Sequence, residues 1–124
     1  MRQLGQLETV VMAELWAAED PLPVRVVRAR LHSAGRDLAY TTVMTVLENL
    51  RRKGLVERNK TGRAYDYRAV LTREEHTAVL MEEVLASSTD RRGTLLRFAE
   101  HITLAELASL REALDTIAER QPPP

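Results

Sequence analysis

The chain has 124 residues, with 18 basic and 18 acidic side chains and no cysteine. This length allows one or two small domains, and the lack of cysteine excludes disulfides, thiolate metal sites and cysteine nucleophiles. Without an apolar run of about 18 residues or a signal-type leader, the sequence predicts a cytoplasmic protein with no membrane insertion.

The neutral total hides an uneven distribution of charge along the chain. Residues 1–71 contain 12 basic and 8 acidic side chains, whereas residues 72–124 contain 6 and 10. This division favours a basic binding module followed by an acidic module with another task. Because the surplus in each part is small, ordinary variation of surface charge remains an alternative.

Two helices are predicted at the start of the chain. The first covers residues 6–18, and Pro21 and Pro23 then end its pattern because a proline cannot continue a helix. Pro23 suits the first position of the second helix, which places Arg25 and Arg28 on its outer side. The predicted inner faces of these two helices consist of Leu7, Val11, Leu15, Val24, Val27 and Leu31.

A third helix, over residues 37–54, has an unusual outer face. Its predicted core stripe consists of Tyr40, Val43, Leu47, Leu50 and Gly54. The opposite stripe consists of Thr42, Thr45, Val46, Asn49 and Lys53. Threonine and valine are poor choices for a solvated helix face, but their hydroxyl and methyl groups suit base edges in a DNA major groove. We predict that Thr42, Thr45, Val46 and Asn49 read bases, while a helix buried on both sides remains the alternative.

A β-hairpin is predicted after this helix. Gly54 suits a left-handed C-cap, residues 55–60 read as a strand, and Thr61 with Gly62 forms the turn signal. Residues 63–70 alternate as a second strand, which puts Tyr65 and Tyr67 on one face towards the helices. Three helices followed by a hairpin are the element order of a winged helix-turn-helix, so the predicted fold is mainly α with a small β-hairpin.

Basic side chains surround the third helix in this arrangement. Because a helix-turn-helix places these elements around one duplex, we predict that they contact phosphates on both sides of a groove. For Arg51, Arg52 and Lys53, at the end of the third helix, the alternative is a favourable interaction with the C-terminal helix dipole. The predicted phosphate contacts are Thr41, Arg25, Arg28, Arg51, Arg52, Lys53, Lys60 and Arg63.

Residues 72–124 are predicted to form three helices and a frayed proline-rich end. Thr72 with Glu75 and Thr103 with Glu106 are capping boxes that open two of these helices. Because so short a segment cannot bury its apolar residues alone, we expect it to be a dimerisation domain, and folding back on residues 1–71 is the alternative. The predicted dimer contacts are Val79, Leu80, Val84, Leu95, Leu96, Phe98, Leu107, Leu110, Leu114 and Ile117.

No pattern for catalysis or metal binding is evident. His32, His76 and His101 lie in separate elements without a second histidine at helical spacing, so no metal site is predicted. The sequence has no glycine-rich phosphate loop, nucleophile motif or convergent carboxylate pair. We therefore expect neither an enzyme nor a cofactor.

Several segments together resemble the penicillinase-repressor family of transcriptional regulators, the BlaI/MecI/CopY group. They are LGQLE at residues 4–8, LAYTTVMTVL at 38–47, KGLV at 53–56 and GRAYDY at 62–67. The resemblance implies a homodimeric repressor that binds a palindromic operator through its winged domains and dimerises through its C-terminal helices.

The β-lactam branch of that family adds a further expectation. Resemblance to this branch implies that repression is relieved when a membrane sensor-protease system triggers cleavage of the repressor. The cleavage falls inside the dimerisation domain, before a phenylalanine in a short helix. Here Arg97 and Phe98 occupy this position, and Arg97 stands where the well-known members have asparagine. Copper sensing through a C-terminal cysteine cluster, as in the copper-responsive branch, is excluded because the chain has no cysteine.

The same relatives often form a short strand before the second helix that pairs with the wing. Pro21 and Pro23 lie at this place, and a proline cannot donate to a strand ladder. The sequence therefore leaves open whether the prolines abolish this strand here.

The functional prediction is a dimeric, DNA-binding repressor. The two half-sites of its operator would lie about 34 to 36 Å apart, one helical turn of DNA. Two alternatives remain open. One is a winged helix used for protein–protein contact, and the other is a small-ligand regulator of the MarR type.

Overall fold

A computed structural model describes residues 4–120. Six helices lie in this part of the chain: α1 (Gln6–Ala17), α2 (Val24–Ser33), α3 (Tyr40–Arg52), α4 (Arg73–Ala86), α5 (Arg91–Ala99) and α6 (Leu104–Arg120). The strands are β1 (Leu22–Pro23), β2 (Val56–Thr61) and β3 (Ala64–Ala69). This order confirms the predicted class, mainly α with a small β-hairpin. The predicted frayed end at 121–124 lies outside the described residues.

The sheet has three antiparallel strands in the order β1-β3-β2. In the added strand, Leu22 pairs with Tyr67 and Pro23 with Asp66. The prolines therefore do not abolish this strand. Because β1 lies at an edge and pairs on one side, a missing N–H is tolerated there.

One hydrophobic core joins the first three helices to the sheet. It contains three residues from each of α1 and α2, four from α3, and residues of the strands and the α3–β2 junction. The buried side chains are Val11, Met12, Leu15, Leu22, Val24, Val27, Leu31, Val43, Val46, Leu47, Leu50, Leu55, Val56 and Tyr67. These elements hold α3 against the sheet, and so they fix its position relative to the wing, the β2–β3 hairpin.

The end of α3 follows the predicted glycine cap. Gly54 has a φ of 79°, the left-handed conformation that glycine adopts without steric cost. The N–H of Leu55 donates to the carbonyl of Leu50 at 3.0 Å, and the N–H of Gly54 donates to that of Arg51 at 3.0 Å. These two bonds form a Schellman motif, which turns the chain from the helix into β2.

The chain divides into two compact units, and the division falls between Glu83 and Val84, inside α4. The first turn of α4 belongs to the winged unit, where the buried His76 lies with its ring centroid 5.5 Å from that of Trp16. Both predicted capping boxes are confirmed, since Thr72 and Glu75 exchange hydrogen bonds of 3.0 and 3.1 Å, and Thr103 and Glu106 bonds of 2.9 and 3.1 Å.

The second unit contains the last residues of α4, from Val84 to Ala86, together with α5 and α6. Neither α5 nor α6 has a buried residue. Within residues 4–120, no helix has the length and apolar character needed to cross a membrane.

Candidate nucleic-acid interface

The solvent-exposed face of α3 is set by the residues that the helix buries. Val43, Val46, Leu47 and Leu50 follow the spacing i, i+3, i+4 and i+7 and lie in the core, so they define the inner side of the helix. The outer side consists of Thr41, Met44, Thr45, Asn49 and Arg52, all of them exposed. A continuous mixed surface of hydroxyl, thioether, amide and guanidinium groups results.

Val46 is not part of this surface, and its assignment as a base-reading residue is wrong. Its side chain belongs to the hydrophobic core and is 7% exposed, whereas Tyr40, placed in the core stripe from the sequence, is 45% exposed. The inner face is therefore rotated from the predicted one by about 30°, less than a third of a residue step of about 100°. Burial of the valine methyls accounts for the rotation, because it removes apolar area from water.

The other predicted base-reading residues remain near or on the outer face. Thr45 and Asn49 are exposed, and Thr42 lies half-buried at its side. A threonine hydroxyl both donates and accepts, and an asparagine amide offers donors and an acceptor together. These groups match what recognition of base edges requires.

The predicted phosphate contacts fall into two groups. Among residues 4–120, the basic groups of Arg25, Arg52, Lys60 and Arg63 have no ion-pair or hydrogen-bond partner, and all four are exposed. Thr41 is also exposed. These cations are therefore free to meet an anionic ligand.

The remaining cations are engaged within the protein. Lys53 lies 2.7 Å from a carboxylate oxygen of Glu8, and the Nε of Arg28 donates to the carbonyl of Leu38 at 2.9 Å. Arg51 makes a two-pronged contact with Glu48, through Nε at 3.2 Å and Nη2 at 3.0 Å. These residues support the loops and helix ends around α3.

The wing adds two residues that the sequence-based set omits. The Arg58 guanidinium stacks over the ring of Tyr65, with Cζ 4.0 Å from the ring centroid, and its Nη1 lies 3.2 Å from Glu48. Strand alternation places Tyr65 and Tyr67 on one face, as predicted, but Tyr67 is buried and Tyr65 is exposed. Alternation alone gives the face of a residue and not its depth, so the sequence does not single out Tyr65 as exposed.

An open notch of about 410 Å³ separates α3 from the wing. Its walls include Met44, Thr45 and Asn49 from the helix and Arg58 and Tyr65 from the wing. The notch combines methyl, hydroxyl, amide and aromatic groups with cations at its rim. These groups complement the base edges and phosphates of a nucleic acid.

The sequence profile of the penicillinase repressor family matches residues 4–116 of this chain. The chain belongs to the penicillinase repressor family. It is 44% identical over 117 residues to the transcriptional regulator BlaI of Mycobacterium tuberculosis. The matched region covers 92% of this chain and 84% of that relative.

Solved structures with a similar fold include a complex of hsRosR, with a TM-score of 0.53 and 18% identity, covering 88% of this chain and 94% of the other. RosR of H. salinarum matches with a TM-score of 0.50 and 22% identity, covering 88% and 97%. At these identities the similarity concerns the fold.

For this member of the penicillinase repressor family, α5 contains the residues of the expected cleavage position. Arg97 is exposed and its Nη1 lies 3.4 Å from Glu100, and the neighbouring Phe98 is 48% exposed. Over residues 4–120, no group of three His, Asp or Glu side chains lies close enough together to bind a metal ion.

The residues predicted for dimer contact in this penicillinase repressor homologue are mostly uncovered in the single chain. Val79, Leu80 and Leu107 are half-buried. The exposed ones are Val84, Leu95, Leu96, Phe98, Leu110, Leu114 and Ile117.

Proposed function

We propose that this protein is a homodimeric transcriptional repressor that binds double-stranded operator DNA through α3 and the wing. The observation that carries the proposal is the outer face of α3, where Thr45 and Asn49 are exposed beside the unpaired cation of Arg52. A helix with such a face suits the major groove, which is wide enough to admit it. Membership of the penicillinase repressor family supports the same function.

Within this proposal, different residues have different tasks. Thr42, Thr45 and Asn49 read base edges, and Arg52, Lys60, Arg63, Arg25 and Thr41 contact phosphates. The phosphate contacts supply affinity that depends on salt, whereas base contacts supply sequence choice. Arg28, Arg51 and Lys53 act mainly through the internal contacts that hold the interface in shape.

Dimerisation is proposed through the second unit. Leu107, Leu110, Leu114 and Ile117 are spaced by three, four and three residues, the a/d pattern of a seam between helices. Soluble monomers rarely expose a continuous apolar patch of this kind. A two-fold symmetric dimer would bind a palindromic operator with half-sites about 34 to 36 Å apart.

Relief of repression is proposed to occur by proteolysis between Arg97 and Phe98 after a β-lactam or cell-wall signal. The support is the exposure of both side chains together with the family resemblance. Mass spectrometry of the protein from cells exposed to a β-lactam tests this step. A fragment ending at Arg97 is expected, and an intact chain during induction of the target gene would contradict it.

A binding titration over salt tests the DNA-binding function. Duplex fragments are first selected from the organism's own DNA, and their affinity is then measured between about 50 and 200 mM salt. A protein that contacts several phosphates loses orders of magnitude in affinity over this range. Weak binding without a steep salt dependence would favour a module for protein–protein contact instead.

A further inference from the structure

A carboxylate lies inside the proposed DNA interface, at the junction of α3 and the wing. Glu48 accepts hydrogen bonds from Arg51 at 3.0 and 3.2 Å and from the hydroxyl of Tyr67 at 2.8 Å. Its Oε1 also lies 3.2 Å from Nη1 of Arg58. Three side chains from α3, β2 and β3 therefore converge on one carboxylate.

The charges of this network do not cancel. Two guanidinium groups meet one carboxylate, so the cluster retains one positive charge. The Arg51 hydrogen bonds, together with the hydroxyl of Tyr67 and the charge of Arg58, lower the pKa of Glu48 although partial burial opposes this. The carboxylate is thus ionised at neutral pH, and it holds both cations in fixed positions.

A direct role of Glu48 in reading a base is disfavoured by its partners. A free carboxylate can accept from the amino group of cytosine, but both oxygens of Glu48 already accept from the protein. Binding a base would break charge-assisted bonds, which are stronger than neutral ones. The carboxylate therefore holds protein side chains in place rather than binding a base.

The network also fixes the wing relative to α3. Tyr67 belongs to the central strand, is 2% exposed and pairs with both Leu22 and Arg58. Arg58 in turn stacks on Tyr65 at the open notch. Loss of the carboxylate would leave two guanidinium groups free to swing towards any nearby phosphate.

We propose that Glu48 is a positioning residue that determines DNA specificity, because it restrains Arg51 and Arg58 from contacting phosphates of non-operator DNA and holds the wing against α3. This inference rests on the proposed DNA-binding function. It distinguishes two sets of cations at one interface. Arg52, Lys60 and Arg63 are free to bind phosphates, whereas Arg51 and Arg58 are held by Glu48.

The test compares Glu48→Gln with the wild-type chain on two duplexes of equal length, a selected operator fragment and a random-sequence duplex. Glu48→Gln should bind the random duplex more tightly, and its plot of log affinity against log salt should steepen by about 0.9 for each phosphate gained. We expect the ratio of operator to random affinity to fall about tenfold, a difference of 1.4 kcal/mol.

A matched control separates restraint from simple loss of a negative charge. Glu57 lies next to Arg58 in β2 and pairs with Arg68 rather than with the α3 network. Glu57→Gln changes the net charge by the same amount, and it should leave the affinity ratio unchanged. In the double variant Glu48→Gln/Arg51→Gln, one released cation is gone, so part of the lost ratio should return.

A second variant keeps the inference testable if Glu48→Gln fails to fold. Tyr67→Phe removes one hydrogen bond to Glu48 and keeps the buried ring, and it should lower the affinity ratio about threefold, or about 0.6 kcal/mol.

Three outcomes would overturn the inference. Equal loss of affinity for both duplexes would show a merely structural network, and an unchanged ratio and salt slope would show no restraint. If wild-type protein binds no duplex with a steep salt dependence, the proposed function fails and the inference fails with it.

Discussion

At the scale of single residues, Asn49 has the side chain on the exposed α3 face best suited to sequence choice. An asparagine amide can bond the N6 and N7 of one adenine together, which is worth about 1–3 kcal/mol against the wrong base. We predict that Asn49→Ala loses discrimination at one base position. Competition among operators with single base-pair changes measures this, and an equal loss on every sequence would contradict it.

Arg52 has a different predicted effect, because its exposed and unpaired guanidinium suits a phosphate. Arg52→Ala should weaken binding to all duplexes alike and flatten the salt slope by about 1. Titrations at several salt concentrations measure both quantities. Arg68→Ala serves as a control, since Arg68 pairs with Glu57 outside the proposed contacts. Unchanged non-specific binding by the Arg52 variant would argue against its placement.

Two carboxyl groups make the stability of the winged unit depend on pH. The pKa of Glu48 is lowered chiefly by Arg51. Burial alone would raise the pKa of Glu8, but the hydrogen bonds from Lys53 and Gly5 outweigh it and lower this pKa also.

A carboxyl with a depressed folded-state pKa contributes stability above its unfolded pKa, and this contribution is lost as pH falls through the folded value. We therefore predict that the free energy of unfolding decreases below about pH 4.5, the ordinary value for glutamate. Urea unfolding between pH 7 and 3 measures the decrease. Glu48→Gln should show a smaller decrease than wild type, and equal pH profiles would contradict the prediction.

At the scale of elements, the orientation of α3 about its own axis is the part that sequence reasoning placed least well. Apolar and β-branched residues occur on two sides of this helix, so the spacing predicts a helix with two faces but leaves its rotation about the helix axis open by about 30°. Val46, predicted on the surface, therefore lies in the core, and Tyr40, predicted in the core, is exposed. Thr45 and Asn49 are far enough from the boundary to be exposed under either rotation.

Truncation of Val46 tests this orientation. Val46→Ala removes buried methyl groups and should lower the free energy of unfolding by about 1–3 kcal/mol, while the order of preference among operator variants stays the same. Denaturant unfolding and competition binding are the two measurements. A loss of preference at one base pair without a loss of stability would contradict the buried position of Val46 and support a base-reading role for it.

Other elements were predictable to the extent that their signals are local. The capping boxes at Thr72 and Thr103 and the cap at Gly54 depend on residues within a few positions of each other, so the sequence shows them directly. The pairing of Leu22 with Tyr67 joins residues far apart in the chain. The fit of a proline to a sheet edge depends on that tertiary pairing, so a local rule cannot decide whether the strand forms.

At the scale of the whole molecule, the division of charge agrees with the proposed division of tasks between DNA binding and dimerisation. The free cations at the proposed DNA interface lie in the basic first part of the chain, and the exposed leucines lie in the acidic second part. The sequence indicates this separation through composition and apolar spacing. It does not contain the contacts of the proposed dimer, because those contacts would lie between two copies of the chain.

The proposed dimer gives the last prediction. We expect a sedimentation mass near twice 14.0 kDa at micromolar concentration. Leu110 is 47% exposed and Leu114 is 56% exposed in the single chain, and burial of a leucine contributes about 1.5–3 kcal/mol. A symmetric dimer buries each of these residues twice, so Leu110→Asp/Leu114→Asp should shift the protein to the mass of one chain.

The same variant should bind a palindromic operator far more weakly while its affinity for an isolated half-site changes little, because a linked pair of sites gains from effective concentration and a single site does not. Ala108→Asp is the control, since it adds a carboxylate to the opposite side of α6 and should leave the dimer intact. A wild-type monomer at micromolar concentration would refute the dimer, and a paired leucine variant that still sediments at twice the chain mass would refute the seam. If both variants dissociate, the whole surface of α6 is sensitive to charge, and the contact does not follow the a/d spacing.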